Sequence, residues 1–373
     1  MKIGILGFGS MGKTHMYSIK NIPFFFSEKI DLEVIAVCTK NIENARKASD
    51  QFNIPFFTDN EDDIIYNDEI DVVDICTPNI YHYNTAKKAI LAGKHVYCEK
   101  PLAVTYEEAK ELAALAKEKG VTCGIVFNNR FLSPILKAKE LVDSDKIGRV
   151  LSFSIKYLHS SALDTVKKAG WKQDKDICGG GVLFDLGSHA VDLIYYLCGE
   201  FDSVLGKSQI AYPVRTGVNG KSWKTNADEA FYMLATLKNG AHGTIEVSKI
   251  TTGANDDLRF EIHGEKGSIA FDLMQPNFLE YYDATLPDGT LGTRGYTKIE
   301  CVNRYPAPGG IFPGIKAPIG WLRGHIGSYF EFLNSVENKT KFAPSFDSGA
   351  YVQCVLESAY KSNESGTWEK VLK

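Results

Sequence analysis

The fold is decided by the stretch KIGILGFGSMGKTH, residues 2–15. An apolar run ends at Gly7, a glycine turn follows, and a helix-forming segment begins at once, which predicts a strand, a tight turn and a helix. Gly7, Gly9 and Gly12 match the dinucleotide fingerprint, whose glycines permit the turn, the approach of a pyrophosphate and close helix packing. Cofactor contacts are therefore expected along the whole turn, at Gly7, Phe8, Gly9, Ser10, Met11 and Gly12.

The same alternation of strand and helix continues through the first third of the chain. Strands are predicted at 32–37, 56–58, 71–77, 95–98 and 122–127, and helices at 42–52, 81–92 and 105–119. Short connections cannot return a chain to a parallel neighbour, so crossover helices of this length imply a parallel sheet covered on both faces. We predict a doubly wound α/β Rossmann domain over residues 1–127.

Beyond about residue 130 the pattern changes to strands separated by turn signals. Such strands are predicted at 149–158, 229–237, 242–250, 259–263 and 268–272, with helices at 187–197, 321–337 and 347–362. Residues 306–318, rich in proline and glycine, are expected to form a loop. The pattern predicts an α+β second domain over residues 128–373, with a large, mostly antiparallel open sheet.

The composition excludes several classes of protein. At 373 residues, 44% hydrophobic and 24% charged, the chain is long and apolar enough for two globular domains. Its 42 Lys+Arg against 46 Asp+Glu give a net charge of -4, so neither nucleic acid nor a membrane is expected as a partner. Eight scattered cysteines without a CxxC pair predict neither a disulfide framework nor a metal site. Apolar runs well short of ~18 residues predict a cytoplasmic protein with a small-molecule partner.

The glycine turn also satisfies a second pattern. Gly7, Gly12, Lys13 and Thr14 match the phosphate loop of nucleoside triphosphatases, in which the lysine reaches the outer phosphates and the hydroxyl holds magnesium. Such a site needs an acidic metal partner at another strand end, whereas Asp74 lies inside an apolar run. A phosphate loop does not require a glycine at the position of Gly9, so the dinucleotide interpretation is favoured and the triphosphatase is kept as an alternative.

The end of the second strand bears on the choice of cofactor. In NAD-binding domains an acidic residue there accepts hydrogen bonds from the adenosine ribose. Here the strand ends in Thr39 and Lys40, farther from Gly12 than usual, and residues 23–26 are expected to cause this by lengthening the intervening loop. A hydroxyl followed by a cation suits a 2′-phosphate better than a bare diol, so the pair leans toward NADP and leaves NAD open. A merely solvated Lys40 is the alternative.

Further contacts are expected at the carboxyl ends of the strands, because open parallel sheets bind ligands there. The residues predicted to contact the cofactor at these ends are Thr77, Pro78, Asn79, His82, Glu99 and Lys100. The ammonium of Lys100 can also hydrogen-bond a substrate hydroxyl and stabilise negative charge that develops on its oxygen. A solvated lysine at the strand end is the alternative.

A second cluster lies in the middle of the chain. The glycines at 179–181 lead into VLFDLGSHAVD, residues 182–192, where Asp185 and His189 are four residues apart and would share one face of an α-helix. An imidazole with a pKa of ~6.5 can take and return a proton near neutral pH, which alcohol oxidation by hydride transfer requires. A core histidine paired with a structural aspartate is the alternative.

Four motifs together resemble one family of oxidoreductases. They are GFGSMGKTH, EKP after the fifth strand, the glycine-rich segment before DLGSHAVD, and the hairpin FEIHGEKGSIAFD. The chain resembles the glucose-fructose oxidoreductase, inositol dehydrogenase and rhizopine catabolism (Gfo/Idh/MocA) family over essentially its whole length, and within it levoglucosan dehydrogenase and glycoside 3-dehydrogenases. The resemblance implies that Lys100, Asp185 and His189 are catalytic. It also implies that substrate lies on the open sheet, whose outer face builds homodimers or homotetramers.

The implied activity is NAD(P)-dependent hydride transfer at a secondary hydroxyl, that on C3, of a pyranose sugar or glycoside. Asn128, Asn129 and Arg130 follow the sixth strand and are expected to bind substrate hydroxyls, with strand capping as the alternative. Further sugar contacts are predicted at Tyr157, His159, Trp171 and His325, which as core side chains would have no such role. Two other activities stay open: a redox-neutral glycosidase that retains its dinucleotide, and a non-catalytic sugar or dinucleotide sensor.

Overall fold

The computed structural model describes residues 1–26, 30–166, 168–217, 220–288, 294–301 and 320–373. These residues form two units, one of Met1–Asn128 with Leu322–Gln353 and one of Asn129–Trp321 with Cys354–Lys373. The loop predicted at 306–318 lies outside the described residues.

The first unit contains a six-stranded sheet in the order β3-β2-β1-β4-β5-β6, with every pair of neighbours parallel. Its strands are β1 (Lys2–Leu6), β2 (Glu33–Cys38), β3 (Phe56–Thr58), β4 (Val72–Ile75), β5 (His95–Cys98) and β6 (Cys123–Ile125). Its helices are α1 (Ser10–Phe25), α2 (Ile42–Phe52), α3 (Asp62–Ile65), α4 (His82–Leu91) and α5 (Tyr106–Lys119). The strand order reverses between β1 and β4, where open sheets of this kind bind ligands. The predicted doubly wound parallel sheet is confirmed.

One prediction about the first unit is wrong. Residues 23–26 were expected to lengthen a loop, but α1 continues through Pro23 and ends at Phe25. Proline removes one hydrogen bond from the last turn, and apolar packing on both sides holds the segment: Ile22 is buried, and the ring of Phe26 stacks on that of Phe330 at 3.8 Å.

The second unit is built on a nine-stranded sheet in the order β16-β15-β14-β13-β7-β12-β11-β8-β17. Its strands are β7 (Val150–Leu158), β8 (Phe201–Gln209), β11 (Ala230–Leu237), β12 (His242–Ser248), β13 (Asp257–Gly264), β14 (Gly267–Asp272), β15 (Phe278–Asp283), β16 (Thr297–Glu300) and β17 (Glu369–Lys370), while β9 (Val214–Thr216) and β10 (Ser222–Lys224) form a separate hairpin. The remaining helices of the chain are α6 (Ser133–Asp143), α7 (Lys175–Cys178), α8 (Ser188–Cys198), α9 (Trp321–Glu337) and α10 (Phe346–Ser365). Only β7 and β12 pair in parallel among these described strands, so the predicted, mostly antiparallel sheet is confirmed.

The two faces of this sheet differ in polarity, as the period-two pattern of its strands requires. Ile155, Ile245 and Phe260 are register partners on the inner face and are fully buried, and α8 packs against β7 and β12. On the other face their neighbours Lys156 and Arg259 are exposed. The expected homodimer or homotetramer through the outer face stays a prediction.

Sequence reasoning missed β8 and α6. β8 contains Asp202, Gly206 and Lys207, a composition unlike the apolar strands beside it, and pairs along its length with β11. α6 starts one residue after a short 3₁₀ segment, with Pro134 in its first turn, so the apolar spacing that marks a helix is brief. In both cases the missing signal is tertiary contact that stabilises a locally ambiguous segment.

The division of the chain also differs from the predicted boundary at residue 127. The structure groups Leu322–Gln353 with the first unit, where the Ile125 N–H donates to the Pro344 carbonyl at 3.0 Å and the Tyr329 hydroxyl donates to Asp74 at 3.0 Å. These contacts join a late segment to an early sheet, which spacing along the chain does not reveal. The two-domain division at residue 127 stays a prediction.

One described helical stretch, Lys175–Cys198, is long and apolar enough to cross a membrane by length and composition. However, 83% of its apolar window is buried inside the protein. A core helix passes the same test, so the stretch is weak support for a membrane span.

Candidate functional site

The glycine turn after β1 has the geometry that its three glycines predict. Gly7 has a φ of +91°, and a Cβ there would lie 2.5 Å from the Cys76 carbonyl oxygen. A Cβ on Gly12 would lie 2.3 Å from the Gly7 carbonyl oxygen, so the helix can approach the turn only without a side chain. A Cβ on Gly9 would meet no described atom within 4 Å. The space over Gly9 is thus open for the close approach of a phosphate group.

The start of α1 supplies donors to that space. Gly9 is the N-cap residue, no described side chain hydrogen-bonds to the cap, and no acidic residue lies in the first turn. The first N–H groups of the helix and its positive dipole end therefore face an anion without competition. In the same unit the Thr77 hydroxyl oxygen is buried and has no hydrogen-bond partner among the described residues. Both observations fit a bound dinucleotide, which supplies phosphate oxygens and hydroxyls as partners.

A cleft of about 560 Å³ opens beside the turn. Its wall includes Phe8, Gly9, Lys13, Thr39, Lys40 and Lys47, and none of the described residues that line it is acidic. The Thr39 hydroxyl donates to the Asn41 carbonyl at 2.7 Å, and the Asn41 side chain caps α2. The structure therefore surrounds the predicted Thr39 and Lys40 with two further cations. Lys13 was singled out only for the triphosphatase alternative, and Lys47 was not singled out from the sequence.

The loops that follow β4 and β5 are tied together by His82. This side chain is fully buried, and its two ring nitrogens lie 2.8 Å from the carbonyl oxygens of Thr77 and Pro101. Burial lowers the pKa of His82. Through these contacts His82 supports the loops that carry Thr77 and Lys100. Its contact with a cofactor stays a prediction.

Pro78, Asn79 and Glu99 complete the predicted strand-end set. Pro78 caps a 3₁₀ turn that starts at Asn79, which is 8% exposed. Glu99 is 6% exposed, and one of its carboxylate oxygens lies 3.1 Å from His15 while the other accepts the Lys100 backbone N–H at 3.2 Å. Glu99 is therefore held by contacts within the unit, and its predicted cofactor contact stays a prediction.

His15 is the centre of a buried polar cluster that sequence reasoning missed. Its Nδ1 lies 2.8 Å from Asp74 Oδ1, and its Nε2 lies 3.1 Å from Glu99. Burial lowers the pKa of His15, but the charge and hydrogen bond of Asp74, together with Cys76, outweigh burial and raise that pKa well above 6.5. Burial likewise raises the pKa of Glu99, but its hydrogen bond to His15 and the charges of His15 and Lys100 reverse this and lower it to about 2.

The ligand atoms of His15, Asp74 and Cys76 lie within 4.8 Å of one another, a spacing that one metal ion could bridge. A metal requires a neutral imidazole and a thiolate. Here both imidazole nitrogens face carboxylates, and burial raises the pKa of the Cys76 thiol so that the thiol keeps its proton. Hydrogen bonds therefore hold one imidazolium between two carboxylates, and because both ring nitrogens already face carboxylates the donor set does not fit a metal.

In the second unit, Asp185 lies in a π-helical turn, Leu183–Gly187, and α8 begins only at Ser188. The regular α-helical phase predicted for Asp185 and His189 is therefore wrong, although both residues lie on this continuous helical stretch. Gly187 permits the turn, because a Cβ there would lie 2.8 Å from Leu183 Cδ1. Such widened turns are frequent at functional sites.

Two lysines flank the Asp185 carboxylate. Lys249 Nζ lies 2.8 Å and Lys172 Nζ 3.1 Å from the same oxygen, Oδ2. The Lys249 side chain is 14% exposed, so this ion pair is poorly screened, whereas the Lys172 side chain is 49% exposed. Both cations stabilise Asp185 as a carboxylate, which can accept a hydrogen bond but cannot donate one.

His189 is 8% exposed and lies beside an aromatic and acidic group from the inner face of the sheet. The ring of Tyr157 meets that of His189 edge to face at 6.0 Å, and its hydroxyl donates to Asp256 at 2.7 Å. His159 Nε2 lies 3.1 Å from the same Asp256 oxygen. Burial raises the pKa of Asp256, but hydrogen bonds from His159 and Tyr157 outweigh burial and lower it. The structure thus brings three predicted residues, His189, Tyr157 and His159, into one group.

The glycine-rich loop before Asp185 is held by Asp228. This buried carboxylate accepts the N–H of Gly181 at 3.0 Å and that of Leu183 at 3.1 Å. A Cβ on Gly181 would lie 2.1 Å from the Asp228 carbonyl oxygen, so only glycine fits there. These bonds fix the start of the helical stretch that carries Asp185.

Arg130, predicted to bind substrate, is paired within the second unit, and its contact with substrate stays a prediction. It is 6% exposed, its Nε donates to Asp192 Oδ2 at 2.8 Å, and its guanidinium lies 4.6 Å from the centre of the Tyr196 ring. A guanidinium buried in this way must be paired, and Asp192, on the buried face of α8, is that partner. Sequence reasoning did not identify this partner because Asp192 is distant from Arg130 in sequence.

The other predicted sugar contacts lie in different environments. Asn128 and Asn129 are each 2% exposed, and Trp171 is 37% exposed. His325 belongs to the first unit, is 3% exposed, and its ring lies 6.2 Å from that of His15. Burial lowers the pKa of His325 to about 3. The sugar contacts of His325 and Trp171 stay predictions, and of the two only Trp171 is exposed.

Two family models match the chain. The model described as an oxidoreductase family with an NAD-binding Rossmann fold matches residues 1–127, and the model described as a GFO/IDH/MocA C-terminal domain matches residues 135–270. The chain belongs to the Gfo/Idh/MocA family. This membership identifies an oxidoreductase whose first unit has the NAD-binding fold.

Individual members of the Gfo/Idh/MocA family match over the full length. A levoglucosan dehydrogenase from Pseudarthrobacter phenanthrenivorans is 30% identical over 385 residues, which cover 100% of this chain and 98% of the relative. A glucose-6-phosphate 3-dehydrogenase from Bacillus subtilis is 26% identical, with 98% and 97% covered. A solved structure of levoglucosan dehydrogenase in complex with NADH and levoglucosan matches with a TM-score of 0.95 at 30% identity, and 100% of each chain is covered. The predicted family and enzyme class, a sugar dehydrogenase, are confirmed.

Membership in the Gfo/Idh/MocA family overturns the triphosphatase alternative. The geometry explains why the phosphate-loop pattern is present without a magnesium site. The Thr14 hydroxyl donates back to the Ser10 carbonyl at 3.1 Å within α1. Asp74, the acidic candidate, accepts hydrogen bonds from His15 and Tyr329 in the interior. The two side chains that magnesium would need are therefore engaged elsewhere.

Weak sequence features point to two of the missed residues, His15 and Asp74. His15 belongs to the quoted stretch and precedes Met16 on the helix, which is also buried. Asp74 is a single carboxylate in an apolar strand, and a buried carboxylate needs a partner. A search for a cation on the inner face of α1 would have paired His15 with Asp74. In contrast, no local sequence feature connects Lys249 or Asp256 with the helical stretch that carries Asp185.

Proposed function

We propose that this protein is a dehydrogenase that transfers a hydride between a nicotinamide dinucleotide and a secondary hydroxyl, that on C3, of a pyranose sugar or glycoside. The observation that carries the proposal is the match over the full chain to levoglucosan dehydrogenase, with a TM-score of 0.95, in a chain that has Lys100, Asp185 and His189. The name of the second relative, a glucose-6-phosphate 3-dehydrogenase, supports reaction at C3.

Each of the three residues has a role suited to its chemistry. In the oxidative direction His189 accepts the hydroxyl proton, since a neutral imidazole is a base near neutral pH. Lys100 donates a hydrogen bond to the reacting oxygen, and Asp185, kept ionised by two lysines, accepts one from the substrate and orients it. The bound nicotinamide supplies the hydride acceptor. Trp171 presents an exposed aromatic face to the sugar ring.

The test is formation of reduced nicotinamide by the purified protein, with NAD and NADP in parallel, against glucose, methyl glucosides, levoglucosan and inositols. We expect turnover with at least one pyranose or glycoside and a product oxidised at C3, identified by NMR. Dinucleotide that copurifies with the protein, with glycoside cleavage but no net reduction, would contradict the proposal and favour a redox-neutral glycosidase. Binding of sugar and dinucleotide without any conversion would favour a sensor.

The cofactor part of the proposal is a preference for NADP. It is supported by Lys13, Lys40 and Lys47 around the cleft beside the glycine turn, and by the absence of acidic side chains among its described lining residues. A 2′-phosphate carries a charge that several cations stabilise, whereas the ribose diol of NAD is bound best by a carboxylate. The levoglucosan dehydrogenase structures, in contrast, hold NADH, so this preference distinguishes the chain from its relative.

Replacing Lys40 and Lys47 together with Ala is expected to raise the KM for NADP about 10- to 100-fold, because two charge-assisted hydrogen bonds at exposed side chains contribute about 1.4–2.7 kcal/mol together. The KM for NAD should change by less than about twofold. Initial rates with both cofactors measure the two values. Lys20→Ala, at an exposed position of the same unit outside the cleft lining, is the matched control. An equal rise in KM for both cofactors would show that these lysines serve the shared part of the dinucleotide.

A further inference from the structure

We propose that His15 is a positioning residue: as a buried cation between Asp74 and Glu99, it fixes the Glu99 carboxylate that holds Lys100 in place. The inference rests on the proposed catalytic role of Lys100, and it assigns a function to a cluster that this role does not include. All of its members lie in the first unit.

The geometry requires His15 to be protonated at both nitrogens. The side chain is 1% exposed, and Nδ1 lies 2.8 and 3.0 Å from the two Asp74 oxygens while Nε2 lies 3.1 Å from Glu99 Oε1. Ionised carboxylates only accept hydrogen bonds. Asp74 also accepts from the Tyr329 hydroxyl at 3.0 Å, so it is an acceptor on every side. Both ring nitrogens of His15 must then donate.

The surrounding groups leave no competing charge next to the ring. Besides the two carboxylates, His15 faces the Cys76 thiol at 3.2 Å and the rings of Tyr97, Tyr329 and His325 at 5.4, 5.6 and 6.2 Å. Burial keeps the Cys76 thiol protonated by raising its pKa, and burial lowers the pKa of His325 to about 3, so neither carries a charge near neutral pH. The cluster is thus one cation between two anions.

Glu99 transmits the arrangement to Lys100. One carboxylate oxygen accepts from His15, and the other accepts the backbone N–H of Lys100 at 3.2 Å, so the residue before the predicted catalytic lysine is held at both oxygens. The nearby charge of Lys100 also helps to keep Glu99 ionised. Without His15, a carboxylate that is 6% exposed would lose its main cationic partner and would either take up a proton or move. Either change alters the position or the electrostatic environment of Lys100.

Substituting His15→Gln is therefore expected to lower kcat about 10- to 100-fold, since small misplacement of a catalytic group costs that much. The KM for the sugar and the Kd of the dinucleotide, measured by fluorescence titration, should stay within about threefold. The acidic limb of the pH profile of kcat should move to higher pH. The sign follows from Glu99: its depressed pKa rises when the imidazolium is removed, so the carboxyl is protonated at a higher pH.

Glu99→Gln provides a second variant in case His15→Gln does not fold. It should lower kcat to a similar extent but leave the acidic limb where the original chain has it, because no carboxyl remains at residue 99 to take up a proton, and the double variant should lose little more kcat than either single variant. His95→Gln is the matched control, since His95 starts β5 at the opposite end of the strand and its Nδ1 accepts the Thr122 N–H at 3.0 Å. We expect this control to keep the kcat and the pH profile of the original chain.

An activity-independent measurement is the imidazole ¹⁵N spectrum of the free protein, with His15 assigned by its loss in His15→Gln. The shifts should be those of a doubly protonated ring at pH 7, because both ring nitrogens face carboxylates and the pKa of His15 is raised well above 6.5. A neutral ring at pH 7, or a His15→Gln variant with unchanged kcat and pH profile, overturns the inference. If Lys100→Met leaves turnover intact, the proposed function fails instead, and the two failures are thereby distinguished.

Discussion

Turnover falls about 10²- to 10³-fold when Lys100 is replaced with Met. Met preserves the length of the side chain but removes its ammonium, and loss of one preorganised donor to an oxygen that develops negative charge costs about this much. Lys100 directly follows Glu99, whose contacts to His15 and to the Lys100 backbone keep the loop in place without the ammonium. We therefore expect the dinucleotide to bind with nearly unchanged affinity, as measured by fluorescence titration beside steady-state rates.

The same substitution at exposed Lys20 provides the control and should leave both rate and binding unchanged. If Lys100→Met abolishes dinucleotide binding as well, the lysine serves the cofactor more than the substrate, and the division of roles proposed here is wrong. If the variant keeps its full rate, Lys100 has no catalytic role in this chain. The Kd and kcat of one variant therefore separate three interpretations.

The cofactor end of the site could be predicted from sequence because its physics is local. Gly7 needs a positive φ, Gly9 leaves open space, and Gly12 lets the helix approach the turn, and each requirement is set by atoms within the turn or the strand beside it. Hydrophobic periodicity then gave the parallel sheet, because buried parallel strands and amphipathic helices have different repeats.

The substrate end could be predicted only as a set of residue types. Asp185 and His189 were singled out, but their helical phase depends on a π turn. The preceding glycines permit this turn, and the hydrophobic periodicity of the sequence does not predict it. The lysines and the acid that surround them come from distant strands and loops, since Lys249 follows β12 and Asp256 precedes β13. The folded sheet decides which charged residues pair when they are far apart in sequence. A sequence pattern therefore does not predict such pairs.

Arg130 shows the same limit, because its partner Asp192 could not be read from the sequence, and it carries the prediction with the largest effect on stability. Arg130→Met should lower the free energy of unfolding by about 3–5 kcal/mol, the usual cost of leaving a buried charge without its partner. That charge is Asp192, which is 1% exposed. Denaturant unfolding followed by tryptophan fluorescence measures the change, because Trp171, Trp223, Trp321 and Trp368 all belong to the second unit.

The loss of unfolding free energy in Arg130→Met should depend on pH in a defined direction. Burial raises the pKa of Asp192 and Arg130 opposes this, so removing Arg130 raises the pKa further. A carboxyl whose pKa is raised in the folded state binds its proton more tightly there than in the unfolded chain. The amount by which this carboxyl lowers the free energy of unfolding therefore becomes smaller as pH falls. The difference in stability between Arg130→Met and the original chain should therefore be larger at pH 8 than at pH 5.

Two comparisons complete the test. Arg130→Met combined with Asp192→Leu should recover most of the lost stability, because replacing both partners of a buried pair with apolar residues is often neutral. Arg149→Met removes an arginine whose side chain is 61% exposed and pairs with Glu265 at 2.7 Å. This substitution should lower the free energy of unfolding only slightly. If Arg130→Met instead leaves stability unchanged and raises the KM for the sugar, the arginine binds substrate after all, and its ion pair with Asp192 is dispensable to the fold.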